Sequence, residues 1–312
     1  MPDPALHQHP PTWRGPELWR AAQAPDFQWP EHVNLNDSDL TAWPSSLSEA
    51  RHLQSLSVYG NALTEVPDWL WEQTGLRILN LSGNRLSAVS AALGQLRHLE
   101  MLDLGHNTLE ELPDAFGTLG ELRFLYLSDN RLTALPESVR ALGALTYLNV
   151  TGNALEELPE WLGELTRLTE LRVYRNALRE LPCGLGQLGA LRELHVMHNA
   201  LTHLPPELGA CTHLRELDLE GNCLTALPDT LGALTRLRRL NLRFNDLEAL
   251  PESLRGLEAL QSLDLRANRL TEVPAWLAEL PMLEKLDLRW NRVGALPAAF
   301  EVFQRRGGQL YW

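Results

Sequence analysis

Asparagine returns every 23 residues through most of this chain, at Asn61, Asn84, Asn107, Asn130, Asn153, Asn176, Asn199, Asn222, Asn245, Asn268 and Asn291. No other feature constrains the fold as strongly. A fixed period of about 20–50 residues marks stacked architectures, in which each unit buries its apolar face only against its neighbours. One period before Asn61 stands Ser38, within Val33-Asn34-Leu35-Asn36-Asp37-Ser38-Asp39-Leu40, which reads as a degenerate first unit and brings the count to twelve. A length of 312 residues alone would suggest about two domains. The period predicts instead one continuous array over residues 33–300.

Each unit follows L-x-L-x-x-N-x-L-x-x-L-P-x-x-L-x-x-L-x-x-L-x-x, cleanly from Leu125 through Asn130, Leu135-Pro136, Val139, Leu142 and Leu145. In L-x-L the leucines point one way and their neighbours the other, as in any strand. Stacked units therefore predict a parallel sheet lining the concave side, with leucines inward. The asparagine falls where the chain leaves the strand, and its amide can both donate to and accept from unpaired backbone groups. The proline fixes φ where no donor is needed. The later leucines pack from the convex side, on short 3-10 or extended turns. At ~4.8 Å per strand, twelve strands span an arc on the order of 55 Å. Ser38 replaces the asparagine and Ser90 the proline; Gln73 stands at a leucine site and predicts looser packing in repeat two. Cys211, at another leucine site, reads as a small apolar filler.

These motifs resemble the leucine-rich-repeat superfamily, and more narrowly its 23-residue intracellular class with L-P-x-x-L-G-x-L, shared by the animal Ras/Raf scaffold, the plant Ras-group-related proteins and many bacterial cytoplasmic proteins and effectors. The resemblance covers residues 33 to about 300. It implies an α/β horseshoe solenoid that binds protein partners. It does not identify the partner, because one fold hosts many functions.

Composition narrows the classes. The formal charge of −13 disfavours nucleic acid and anionic membrane. No apolar stretch approaches the ~20 residues of a membrane span, and Met1–Pro11 lacks a basic start and apolar run. Cys183, Cys211 and Cys223 are too few and too central for a disulfide framework. A reducing, cytoplasmic setting is expected. Lys285 is the one lysine among many arginines, which points to a bacterial GC-rich origin. No G-x-x-x-x-G-K-[ST], G-x-G-x-x-G, G-x-S-x-G or H-E-x-x-H occurs, so no enzyme and no cofactor is expected.

Solenoid ends need covering. Residues 12–32, with Trp13, Leu18, Trp19, Phe27 and Trp29 and a short helix from about Pro16 to Ala24, read as an N-terminal cap; residues 1–11 are expected to be disordered. At the other end Phe300 and Phe303 continue the last convex segment. Residues 301–312 read as a cap strand, with Gln309-Leu310-Tyr311 one residue out of step with the period.

Function is expected on the outward strand residues, those six, four, two and one before each asparagine. Repeats five to seven offer Phe124, Tyr126, Tyr147 and Tyr174. Repeats seven to nine add Glu170, Glu193 and Glu216 in one column, beside Arg172, Arg175, His195, Met197 and His198. Repeats ten to twelve turn basic through Arg239, Arg243, Arg266, Arg289 and Lys285, flanked by Phe244 and Trp290. Tyrosine, tryptophan, methionine and arginine are enriched at protein interfaces. The expected partner is thus another protein, held by a monomeric scaffold. Cross-strand packing of the aromatics competes with that reading, and cross-strand ion pairing competes with recruitment of an acidic partner by the arginines. A bacterial effector that binds a host protein is the alternative; nucleic-acid binding by the arginine end ranks below it. His195-x-x-His198 with Glu193, Asp218 and Glu220 could suggest a metal, but two histidines three apart at a strand end need not converge, and no metal is expected. The sequons at Asn80 and Asn149 fall out of the repeat consensus and predict no glycosylation.

Overall fold

In a computed structural model the chain is described over residues 15–24 and 26–312. The expected disordered start, 1–11, and Trp13 lie outside the described residues. Among the described residues, thirteen three-residue strands form one parallel sheet in simple chain order. They are His32–Asn34 (β1), Ser55–Ser57 (β2), Ile78–Asn80 (β3), Met101–Asp103 (β4), Phe124–Tyr126 (β5), Tyr147–Asn149 (β6), Glu170–Arg172 (β7), Glu193–His195 (β8), Glu216–Asp218 (β9), Arg239–Asn241 (β10), Ser262–Asp264 (β11), Lys285–Asp287 (β12) and Gln309–Tyr311 (β13). Neighbours pair at a shift of 23, as in Phe124↔Tyr147. The last pair shifts by 24, Lys285↔Gln309, so the extra residue near the end is absorbed before β13 and leaves the ladder in step.

Alternation does what the pattern demands. The central residue of each repeat strand is a buried leucine or valine, and the flanking residues face outward. The first leucine after each asparagine and the convex leucines complete one continuous core. Because every strand is buried on one face only, the other face carries polar and aromatic residues in straight columns.

Convex segments are mainly single 3-10 turns, such as Glu137–Ala141 and Asp229–Ala233, each entered through a proline at φ near −70° (Pro136 −68°, Pro228 −70°). Where Ser90 replaces proline, its side chain accepts from the Ala92 N–H at 3.2 Å, so a hydroxyl cap does the proline's work. Repeat two uses an α-turn instead, Asp68–Trp71 (α2), in which Trp71 is buried; Gln73 is buried as well. Cys211 fills its leucine site completely, its thiol donating to the Leu185 carbonyl and pushed by burial up to about 11. Adjacent turns approach closely: a Cβ on Gly232 would lie 2.1 Å from the Ser253 carbonyl oxygen.

The asparagines join neighbouring repeats. Asn176 donates to the carbonyls of Val173 and Tyr174 in its own repeat and of Val150 in the one before (3.0, 3.4 and 3.0 Å). In return its Oδ1 accepts the Leu155 N–H at 3.1 Å. The same set recurs from Asn61, which receives both Ser38 and Leu40 N–H groups, to Asn268; Asn291 keeps all of it but the bond to the carbonyl two residues back. Each amide thus satisfies groups that neither repeat could satisfy alone.

At the ends, Pro16–Ala21 (α1) is three residues shorter than the expected helix, with Leu18 buried and Trp19, Phe27 and Trp29 packed on the core. Gly15 N–H bonds to the Asn34 carbonyl of β1. Opposite, Ala299–Arg305 (α3) buries Phe300 and Phe303 and leads into β13.

Candidate functional site

The outward columns are not equally free to bind. Four residues before the asparagine stand Asn34, Asn80, Asp103, Asn149, Asp218, Asn241, Asp264 and Asp287, and each accepts through Oδ1 the N–H two residues on, at 2.9–3.3 Å. This column mostly closes the strand ends, a local side-chain-to-backbone bond that asparagine and aspartate make well. It also explains both sequons, whose asparagines are held by the backbone.

Repeats two, five, seven and eight break the rule; in repeat two Ser57 holds the position and the Tyr59 N–H donates instead to Asn36 Oδ1 at 3.0 Å, so among the described residues only the other three leave the N–H unmet. In repeats five, seven and eight the position holds Tyr126, Arg172 and His195, none of which can cap in this way. The N–H groups of Ser128, Tyr174 and Met197 accordingly donate to no protein atom among the described residues. The Thr151 hydroxyl, between Ser128 and Tyr174 in the next column, is buried and likewise has no partner. The outward position of these side chains is evident in the sequence; the loss of the cap is not part of that reading, although its signal is there, since the column is otherwise nearly all Asn and Asp.

Around this gap the aromatics gather. Tyr126 and Tyr147 rings lie 4.8 Å apart and Phe124 6.5 Å from Tyr147. Such contacts stabilise the sheet while leaving ring surface available. The Arg172 guanidinium sits 6.0 Å from the Tyr147 centroid and pairs with Glu170. Burial pushes both the Tyr126 and Tyr147 phenols upward, so both stay neutral donors near neutral pH. Tyr174 and Met197 are half-buried and Arg175 is exposed.

His195 is only 8% exposed, its ring 3.4 Å from Glu193, so it supports the surface more than it presents a contact. His198 points elsewhere, 3.9 Å from Glu220. The two histidines do not share a ligand cluster; the group that converges is Glu170, Glu193 and His195, with ligand atoms within 4.8 Å of one another. Arg172 already occupies Glu170.

The arginine end is compensated from within. Arg239 pairs with Glu216, Arg243 with Glu220, Arg266 with Asp264 and Asp287, and Arg289 with Asp287. Burial raises the Asp287 carboxyl, but hydrogen bonds and charge from Arg289, aided by Arg266, outweigh it and hold the group below the usual range. Little free positive potential remains there for an acidic partner or a phosphate backbone. Beside these pairs Phe244 and Trp290 are 48% and 65% exposed, their rings 6.2 Å apart. Both occupy left-handed backbone, φ 55° and 63°, at a position that four other repeats give to glycine. That conformation costs a bulky residue on the order of 1–2 kcal/mol.

Leucine-rich-repeat family models match residues 74–132 and 250–293 (leucine rich repeat), 116–222 (leucine-rich repeat region) and 212–252 (leucine rich repeats, two copies). The chain belongs to the leucine-rich-repeat superfamily. No curated protein matches its sequence. Among solved structures it is similar to a leucine-rich-repeat protein of Leptospira interrogans, at 28% identity and TM-score 0.68, over 90% of this chain and 83% of that one. It is also similar to the plant peptide hormone receptor RGFR1, solved with RGF2, at 28% identity and TM-score 0.69; the match covers 84% of this chain but 47% of the receptor. A third is a chain in the octameric complex of Latrophilin 3, Unc5D and FLRT2, at 28% identity and TM-score 0.65, with 83% of each chain covered. No helix of the described residues is long and apolar enough to cross a membrane.

Proposed function

We propose that this chain is a protein-binding scaffold or adaptor that grips one partner through the concave face, centred on repeats five to eight. The observation that carries this reading is the abandoned cap. Where Tyr126, Arg172 and His195 replace Asn or Asp, the fold gives up a backbone hydrogen bond in each repeat and gains an aromatic and charged patch. Departures from a local structural rule concentrate at functional sites. Phe124, Tyr126, Tyr147, Arg172, Tyr174, Arg175 and Met197 form the proposed centre. Phe244 and Trp290, placed at a backbone cost on an exposed rim, extend it, with Arg239, Arg243, Arg266 and Arg289 as paired neighbours. The described part of the 12–32 segment and residues 301–312 cover the ends of the sheet, and binding rather than catalysis is the activity. The neighbours solved with peptide or protein partners support the class of function. A cytoplasmic adaptor of the 23-residue intracellular class is the form of it we favour; a secretion assay separates this from a host-directed effector.

The test is a pull-down from source-organism lysate, comparing wild type with a variant changed at Tyr126, Tyr174, Arg243 and Arg266 together and shown by circular dichroism to be folded. Capture of one protein by wild type alone is expected. Equal capture by both would move the site off the concave face.

A further inference from the structure

Two observations on the central patch point to the chemistry of what it holds. The first is an excess of carboxylate. Repeats seven to nine present Glu170, Glu193, Glu216, Asp218 and Glu220, of which Glu170, Glu216 and Glu220 are taken by Arg172, Arg239 and Arg243. Glu193 and Asp218 have no arginine or lysine partner among the described residues; His195 lies 3.4 Å from Glu193 on its own strand and faces Asp218 in register, and Asp218 also accepts the Glu220 N–H. The second is the row of unpaired hydrogen-bonding groups along repeats five to eight: the Ser128 N–H, the buried Thr151 hydroxyl, the Tyr174 N–H and the Met197 N–H. Backbone N–H groups call for acceptors, and carbonyl oxygens of a polypeptide are the commonest. Arg172 shows how the patch treats a guanidinium, which lies against the Tyr147 ring and pairs with Glu170. Glu193 follows Glu170 in the same column, paired with it across β7 and β8, and has no such guanidinium.

We propose that an arginine-bearing segment of the partner protein crosses repeats five to eight, with its main-chain carbonyls on the Ser128, Tyr174 and Met197 N–H groups and its guanidinium on Glu193, with Asp218 on the next strand as the other carboxylate that no arginine holds. This deepens the scaffold reading and rests on it. It also reverses the expectation that the arginine column recruits an acidic partner, because those arginines are already neutralised. The net charge of −13 steers a basic partner toward the chain. Arginine fits better than lysine, since it pairs with a carboxylate through two parallel hydrogen bonds and stacks on aromatic rings.

The experiment uses the full chain and fluorescently labelled nona-arginine, nona-lysine and nona-glutamate, read by anisotropy at physiological salt. Nona-arginine is expected to bind most tightly and nona-glutamate not at all. Glu193→Gln with Asp218→Asn should weaken nona-arginine roughly tenfold or more, as expected for a lost charge-assisted pair. Glu156→Gln with Glu157→Gln, two exposed carboxylates away from the patch, removes the same charge and should change affinity less than about twofold. Equal loss in both double variants would reduce the effect to overall charge and overturn the proposal, as would preference for nona-glutamate. Stoichiometric binding of zinc chloride, lost in Glu193→Gln, with no response to nona-arginine would make Glu170, Glu193 and His195 a metal site instead. If a lysate partner depends on Tyr126 and Tyr174 but ignores Glu193→Gln with Asp218→Asn, the scaffold reading stands and the basic partner falls.

Discussion

Replacing Asn130 by alanine tests how the repeats are joined. The Asn130 Oδ1 is the one acceptor, among the described residues, for the buried Leu109 N–H at 3.0 Å. Its Nδ2 donates to the Leu104, Leu127 and Ser128 carbonyls at 3.0, 3.2 and 3.2 Å. Those three carbonyls keep other donors after the change: Asn107 on Leu104, Asn153 on Leu127 and the His106 N–H on Ser128. The lasting loss is therefore one orphaned N–H between repeats four and five, and burying it unpaired costs about 1–3 kcal/mol. With an m-value of about 3 kcal/mol per molar urea, the midpoint should fall by roughly 0.3–1 M. Asn130→Asp sharpens the test. It keeps the acceptor for Leu109 but turns a negative charge toward the Leu104 and Leu127 carbonyls. It should cost more than alanine at pH 7 and less as pH falls, since a protonated carboxyl can donate again. Urea unfolding by circular dichroism measures both, and amide exchange at Leu109 localises the effect. An unchanged midpoint for alanine, or an aspartate variant no worse than alanine at pH 7, would refute the claim that this amide ties one repeat to the next.

Two further outcomes follow from the packing and the charge. Gly232→Ala should destabilise by about 1–3 kcal/mol, because the new Cβ meets the Ser253 carbonyl oxygen of the next turn at 2.1 Å and the two turns must part; a thermal melt within error of wild type would show that the convex side yields freely. Burial of Asp103 outweighs its hydrogen bonds from Gly105 and Ser82 and raises its carboxyl above the ordinary 3.8, so the folded chain favours the protonated form. Its contribution to stability is fully present below that value and is lost as pH rises through the raised one. Asp103→Asn, which keeps the acceptor for Gly105, should therefore raise the urea midpoint at pH 7 and lose that advantage near pH 4; the same gain at both pH values would mean charge is not the cause.

Sequence by itself determined the solenoid. The period of Asn61 to Asn291, with Ser38 one step before it, set the length and register of the repeat, the L-x-L alternation set which strand residues face outward, and the proline set where most convex turns begin, with Ser90 in its place in repeat three. These are local rules repeated without change, so one repeat predicts the next. Even the substitutions were legible where a single residue did the work, as with Cys211 in a leucine site. What only the tertiary structure decided was which outward residues are free. Arg243, Arg266 and Arg289 look like a basic stripe in sequence, yet carboxylates one strand away or two residues back neutralise them. His195 looks like a surface contact and is buried. Asn80 and Asp103 look like recognition residues and instead hold the backbone. Stacking brings residues 21–26 positions apart within hydrogen-bonding distance, and a side chain's availability depends on those cross-repeat partners rather than on its own type.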